Sequence, residues 1–357
     1  MTNANSTITF PCGTTMKNRF MLAPLTNGQS YEDGRLSNDE LKWLTLRAEG
    51  GFGLVMTCAS HVQEVGKGFS GQLGIFSDHL IEGHLKLTTN IKEQGSIAII
   101  QLHHAGMRSP AELIHGRPVC PSGNKETNAR RLSLEEVKQL RDDFITAAIR
   151  AQKGGYNGVE VHGAHGYILT QFLSSEINKR TDDYGGSLLN RSRLLFEIVD
   201  GIREKCGNDF LLGVRLSPER FGMDINEMKL VCQRLIDGGN IDFLDISLWD
   251  VFKIPNEEKY QKITLLEHFK TLDFKNVKWT VAGKIYNAVD VQKVLDAGVD
   301  FVSIGTSAIL HHNFPKLVLE NPTFNPIAVP VSEAYLKKEG LGEKFIVYLK
   351  RWPDFVK

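Results

Sequence analysis

The chain has 357 residues, 41% of them hydrophobic and 24% charged, with 42 basic and 42 acidic side chains and no formal net charge. That length holds one large domain or two ordinary ones with a substantial core, and the charge balance argues against a nucleic-acid or membrane surface held by bulk electrostatics. No apolar run reaches transmembrane length, the N-terminal MTNANSTITFPCGTT lacks a secretory signal pattern, and the five scattered cysteines have no C-x-x-C, so a reduced cytoplasmic protein without a disulfide framework, zinc site or iron–sulfur cluster is expected.

Eight short apolar runs recur along the chain: FMLAP (20–24), GLVMT (53–57), IAIIQ (97–101), GVEVH (158–162), LLGVRLS (211–217), DFLDIS (242–247), KWTVA (278–282) and DFVSI (300–304). Near-continuous hydrophobic strands signal burial on both faces, as in a parallel sheet. Helical patterns separate them. Asn38 is the expected cap of the first helix, Ser133 with Glu136 forms a capping box for another, and Asn226 is the expected cap of a third that Gly238-Gly239 closes. Eight such units predict a (β/α)8 barrel of the α/β class over residues 1–325, with 326–357 forming a C-terminal helix and tail. An open doubly wound sheet would need a G-x-G-x-x-G turn after the first strand, where LTNGQS stands instead.

Polar residues gather at the C-terminal ends of these strands, where barrel active sites lie. Pro24, Leu25 and Thr26 follow the first, and Ala59 and Ser60 the second. Gln101 closes the third ahead of His103 and His104; its amide offers a donor and an acceptor together, as a heterocycle's imide edge would require. The fourth ends in HGAHGY, and His162, His165 and Tyr167 cannot share one face of a continuing strand, so the chain must turn just after His162. An H-x-x-H pair can bind metal, but no third ligand with matching placement is evident. Arg215 interrupts an apolar strand and needs an anionic partner, either Glu160 across the barrel or a cofactor that becomes anionic on reduction. Gly283-Lys284 and Gly305-Thr306 follow the last two strands, where barrel loops commonly bind phosphate.

Five stretches carry a resemblance to the Old Yellow Enzyme family of FMN-dependent ene-reductases: KNRFMLAPLT (17–26), IIQLHHAG (99–106), GYNGVEVHGAHGYILTQFLSSEINKRTDDYGGSLLNRSR (155–193), GVRLSP (213–218) and DAGVDFVSIG (296–305). The similarity runs from residue 8 to about 320. It implies tightly bound FMN, NADPH or NADH as reductant, and a small activated alkene as substrate: an enone, enal, maleimide or nitroalkene. Ala23, Pro24, Leu25, Thr26, Ala59 and Gln101 would then surround the flavin ring. Arg215 would stabilise its reduced, anionic form, and Gly283, Lys284, Gly305 and Thr306 would hold the phosphate. His162 and His165 would bind the substrate's carbonyl or nitro oxygen, stabilising charge as an oxyanion hole does. Tyr167 would donate the proton, since a phenol with a pKa near ~10 stays protonated at neutral pH.

The chain departs from the pattern in places. Many relatives carry a phosphate-clamping arginine where Thr306 stands, which makes Lys284 a candidate replacement, and the arginine of their H-x-G-R is displaced to Arg108. The segment LWDVFKIPNEEKYQKI (248–263) is less family-like and is expected to shape substrate choice. Some relatives form dimers in which a C-terminal arginine reaches the neighbouring active site. Arg351 with Trp352 is the candidate for such a homo-oligomer here; the alternative is a tail packed on its own barrel. Flavin-dependent demethylation, a non-catalytic flavin-binding protein and a flavin-free barrel enzyme are the competing readings.

Overall fold

The computed structural model describes residues 3–357. Its centre is a closed barrel of eight parallel strands: β1 (Phe20–Leu22), β2 (Leu54–His61), β3 (Ile97–His103), β4 (Gly158–Gly163), β5 (Leu211–Leu216), β6 (Phe243–Ser247), β7 (Lys278–Ala282) and β8 (Phe301–Ile304). Each strand pairs with its sequence neighbours, and β8 closes on β1 through Val302–Phe20, Ser303–Met21 and Ile304–Leu22. The eight predicted runs are the eight strands. β1 is shorter than predicted because Pro24 has no N–H to give the ladder. β2 is longer and carries an irregularity between Met56 and Ala59.

Two layers fill the barrel. At the N-terminal ends of the strands, Leu54, Ile97, Leu211, Phe243 and Phe301 meet Phe10 in an apolar plug. The hairpin of Ile8–Thr9 and Thr15–Met16 carries Phe10 into it, with ring centroids 5.9 Å from Phe243 and 5.7 Å from Phe301. Above the plug the layer turns polar: Gln101, Glu160, Arg215, Asp245, Thr280 and Ser303 come from six successive strands, and all are buried. Burying so many polar groups is costly unless they are partnered, so this layer points to the end of the barrel that does chemistry.

Helix starts follow the chemistry of capping, with two corrections. The capping box of Ser133 and Glu136 heads the helix Leu134–Lys153 as predicted. Asn38, however, is the first residue inside its helix; the cap is Ser37, extended at ψ 164°, whose hydroxyl accepts from the N–H of Glu40. Likewise Asp224, not Asn226, caps Ile225–Gly238, accepting from the N–H groups of Asn226 and Glu227. A cap must itself be extended and reach forward two or three residues, and a residue one or two positions upstream of the expected one does this. Gly239, left-handed at φ 69°, ends that helix as expected.

The C-terminal segment forms two helices rather than one, Glu333–Lys338 and Glu343–Leu349, broken at Gly340 with φ 83°. Both pack on the barrel's own core through Leu336, Phe345, Ile346 and Leu349. Phe345 meets Trp43 edge-on at 5.0 Å. Buried Arg47 binds the segment down, donating to the carbonyls of Glu339 at 2.6 Å and Ala308 at 3.0 Å. Arg351 is exposed, while Trp352 turns toward the mouth of its own barrel. Among the described residues no helix is long and apolar enough to cross a membrane.

Candidate active site

The turn after β4 sets the site. The strand runs one residue past His162, and then two successive residues take left-handed backbone, His165 at φ 61° and Gly166 at φ 73°. Glycine is needed at 166 twice over, because a Cβ there would also sit 2.7 Å from the ring of Phe221. The fold-back places His165 and Tyr167 side by side, with Tyr167 as the residue before the short helix Ile168–Leu173. The hydroxyl of Ser217, at the end of β5, accepts from the N–H of His165 at 2.9 Å and pins the turn.

These side chains wall a cavity of about 410 Å³ at the C-terminal mouth of the barrel. Ala23, Pro24, Leu25 and Thr26 form part of its wall, and Gly283, Lys284, Gly305 and Thr306 another part, with Arg215, His165 and Tyr167 also facing it. The structure therefore brings together eleven of the fourteen residues singled out in the sequence. Ala59, Gln101 and His162 do not line the cavity. Gln101 and His162 are buried behind it.

Three imidazoles surround the phenol. The ring of Tyr167 lies 4.3 Å from His103, 5.3 Å from His162 and 6.5 Å from His165, centroid to centroid. His165 Nδ1 lies 3.3 Å from His162 Nε2, and its Nε2 lies 2.7 Å from the hydroxyl of Ser247 at the end of β6. Burial is the main reason all three imidazoles titrate well below 6.5, reinforced by their mutual repulsion and by Arg215 and Arg108. They are neutral at physiological pH and can donate or accept a hydrogen bond without carrying charge. Burial also raises Tyr167 above 10, with Arg108 opposing. The phenol keeps its proton.

Beneath the cavity, Arg215 Nε lies 3.1 Å from Asp245 Oδ2. Glu160, one of the two partners considered from the sequence, instead accepts from the amide of Gln101 at 2.6 Å. The pairing follows from register: Asp245 sits beside Arg215 across β5 and β6, whereas the residue on β5 opposite Glu160 is Gly213. Burial, then the nearby charge of Asp245, pushes Glu160 upward, while Arg215 pulls it down. Asp245 is raised by its own burial against the same arginine.

At the far end of the cavity Gly283 has φ 145°, and a Cβ there would lie 2.6 Å from the backbone of Trp249. Gly305 leads into the helix Thr306–Leu310, whose first N–H groups have no partner within the helix. Lys284 is not a free point charge: its ammonium lies 3.2 Å from Asp250. Several buried polar atoms in and under the cavity lack a hydrogen-bond partner, among them Ser303 Oγ and Thr280 Oγ1. With glycine backbone at one end and a cation at the other, these unmet groups fit a polar, planar cofactor that carries a phosphate. Among the described residues no cluster of three or more His, Cys, Asp or Glu side chains is arranged to hold a metal.

Sequence reasoning missed several contributors. His103 was visible in IIQLHHAG, but nothing in the sequence showed that it would lie against Tyr167. Ser247 and Asp245 lie on a strand that reads as ordinary core. Tyr348 reaches the cavity from the C-terminal segment, where no periodicity announces a site, whereas Arg108, Trp352 and Trp249 of the 248–263 segment, all noted in the sequence, line it too.

Comparison with known proteins bears on this arrangement directly. The sequence model of the NADH:flavin oxidoreductase / NADH oxidase family matches residues 8–317. The Bacillus subtilis protein named "Probable NADH-dependent flavin oxidoreductase YqiG" is 35% identical over 323 residues, covering 87% of this chain and 86% of its own. The NADPH dehydrogenase of Bacillus pumilus is 34% identical over 319 residues, covering 86% of this chain and 92% of its own. Among solved structures, the old yellow enzyme homologue from Zymomonas mobilis superposes with a TM-score of 0.81 at 26% identity, covering 96% of this chain and 99% of that one. With its closed eight-stranded barrel and its mouth of glycine loops, arginine and neutral imidazoles, the chain belongs to the NADH:flavin oxidoreductase / NADH oxidase family, that of Old Yellow Enzyme, and is an FMN-dependent NAD(P)H oxidoreductase.

Proposed function

We propose that the protein reduces the C=C bond of an activated alkene, with Tyr167 as proton donor. The observation that carries this reading is one protonated phenol packed against three neutral imidazoles on the wall of a cavity that also holds Arg215. A flavin carrier that stored electrons or passed them singly would need no buried acid there.

Bound FMN would supply the two-electron chemistry that links NADH or NADPH to the alkene. The chain's residues do the rest. Backbone at Gly283, Gly305 and Thr306 would hold the phosphate, with the ammonium of Lys284 shared with Asp250. Ala23 to Thr26 would flank the ring, and Gln101 and Ala59 would support it from below. Arg215 would offset the negative charge of the reduced state. His165 stands at the cavity surface and would donate to the substrate's carbonyl or nitro oxygen, with His162 behind it completing the relay of hydrogen bonds. Charge building on that oxygen is stabilised best by donors already in place. Tyr167 would deliver its proton to the α-carbon and recover one from solvent.

The reading is tested in two steps. The purified protein should show a flavin spectrum, and titration with 4-hydroxybenzaldehyde should add a long-wavelength charge-transfer band. Anaerobic stopped-flow should then show Tyr167→Phe reduced by NADH or NADPH at a rate close to the parent's. Its reoxidation by 2-cyclohexenone should be slower by roughly 10²-fold or more. Equal reoxidation rates would remove Tyr167 as proton donor, and a protein that reduces no enone, maleimide or nitroalkene would end the ene-reductase reading.

A further inference from the structure

One cation at the cavity has no counter-ion. Three charged side chains line it, Arg108, Arg215 and Lys284, and no carboxylate does. Arg215 is matched by Asp245 and Lys284 by Asp250. Among the described residues no carboxylate forms an ion pair with Arg108; its guanidinium donates to the carbonyl of His165 and lies 4.8 Å from the ring centroid of Tyr167.

This placement is built into the fold. Arg108 ends a short turn, Gly106–Arg108, that follows β3. Fully buried Gln171 ties the turn to the catalytic loop, accepting from the N–H of Met107 at 3.1 Å and donating to the carbonyls of Gly166 at 2.9 Å and Ala105 at 3.2 Å. Gly106 sits at φ 63°, and a Cβ there would lie 2.4 Å from Gln171 Oε1, so the turn closes only without a side chain. A planar guanidinium held at a cavity rim and still exposed is well suited to a carboxylate, which it can grip with two parallel hydrogen bonds.

We propose that Arg108 selects the substrate: the preferred alkenes carry a carboxylate as well as the activating carbonyl, the carboxylate resting on Arg108 while the carbonyl oxygen rests on His165. The inference rests on the ene-reductase reading above and narrows it to one substrate class, the unsaturated oxo-acids and half-acids. A purely structural Arg108, one that only steadies Tyr167, would affect charged and neutral alkenes alike.

The test compares trans-4-oxopent-2-enoate with its methyl ester on the flavin-loaded enzyme. The wild type should prefer the acid by about fivefold in kcat/KM, the upper worth of one well-placed, solvent-exposed ion pair. In Arg108→Gln the acid-to-ester ratio should fall toward one, mostly through KM, and Arg108→Lys should keep part of it. The ratio cancels any general loss transmitted through Tyr167. A second readout needs no turnover: 4-hydroxybenzoate and methyl 4-hydroxybenzoate are titrated by the charge-transfer band, and only the acid should weaken in Arg108→Gln. The proposal is overturned by a wild type without acid preference, or by a preference that survives in Arg108→Gln. It is also overturned if the substitution alters the NADPH-to-NADH ratio instead, which would assign Arg108 to a phosphate of the reductant. If acid, ester and N-ethylmaleimide are all left unreduced, the ene-reductase reading has failed; if the ester is reduced without discrimination, only the present inference has.

Discussion

Acid should unfold this protein through its histidines. His61, His84, His103, His104 and His162 are all buried. Burial depresses them from 6.5, to about 4 for His61 and His84, to about 3 for His104, and well below for the other two. In the unfolded chain each takes up a proton as pH falls through 6.5; in the fold each stays neutral. Stability is therefore intact above 6.5 and is lost as pH falls toward the folded values. At pH 5.5 each ring costs about 1.4 kcal/mol, and five cost about 7 kcal/mol. Buried Glu160, Asp245 and Glu40, all raised by burial, work in the opposite sense, so a net loss of a few kcal/mol, smaller than the histidine sum, is expected between pH 7.5 and 5.5. That is a large share of the total stability of about 5–15 kcal/mol typical of a domain. His84 isolates the effect. It lies outside the cavity lining, with Nε2 2.8 Å from the carbonyl of Gly74 and Nδ1 2.9 Å from the hydroxyl of Tyr156. His84→Gln should lower stability somewhat at every pH and make the loss between pH 7.5 and 5.5 smaller by about 1.4 kcal/mol. Urea unfolding at the two pH values, with FMN in excess, reads this directly. A variant whose pH dependence matches the parent's would refute the reasoning.

Three further perturbations separate packing from chemistry. A Cβ on Gly158 would lie 1.9 Å from the carbonyl oxygen of Leu211; Gly158→Ala should part β4 from β5 and cost about 3 kcal/mol or more, measured by urea unfolding. Asp245→Asn should cost about 3–5 kcal/mol by leaving Arg215 buried without its anion, and the double variant Arg215→Met, Asp245→Leu should recover most of that loss while losing flavin affinity. Ending the chain at Gly342 removes Phe345, Ile346 and Leu349, all fully buried, and should yield no soluble enzyme, since three such side chains are worth roughly 5 kcal/mol or more. Trp352→Ala, by contrast, should fold and bind FMN but change KM for the alkene several-fold.

The strands were legible because both faces of a parallel barrel are buried, which turns each into a run of apolar residues that needs no partner to be recognised. The family motifs at 17–26, 99–106 and 155–193 carried the site for the same local reason: each is continuous. What escaped was whatever depends on register between strands. Arg215 announced that it needed an anion, but only the pairing of β5 with β6 shows that Asp245 supplies it and that Glu160 is given to Gln101. Helix caps failed by one or two residues, because Ser37 and Asn38, or Asp224 and Asn226, are equally good cap chemistry and only backbone geometry chooses. The C-terminal segment was read as a single helix because Gly340, which ends the first of two helices, looks like any surface glycine until its φ is known.

The cavity draws one wall from residues 23–26 and another from Tyr348 and Trp352. During synthesis, then, the site lacks part of its wall until Tyr348 and Trp352 have been made and have folded back. Seven strands can be waiting, but the barrel stays open until β8 finds β1 across most of the chain. Contacts of such long range make closure slow, and the growing chain must shelter its unpaired edges meanwhile. Residues 20–26 and the segment that carries Tyr348 and Trp352 thus act as one latch. A change near Trp352 therefore acts beside the active site rather than far from it.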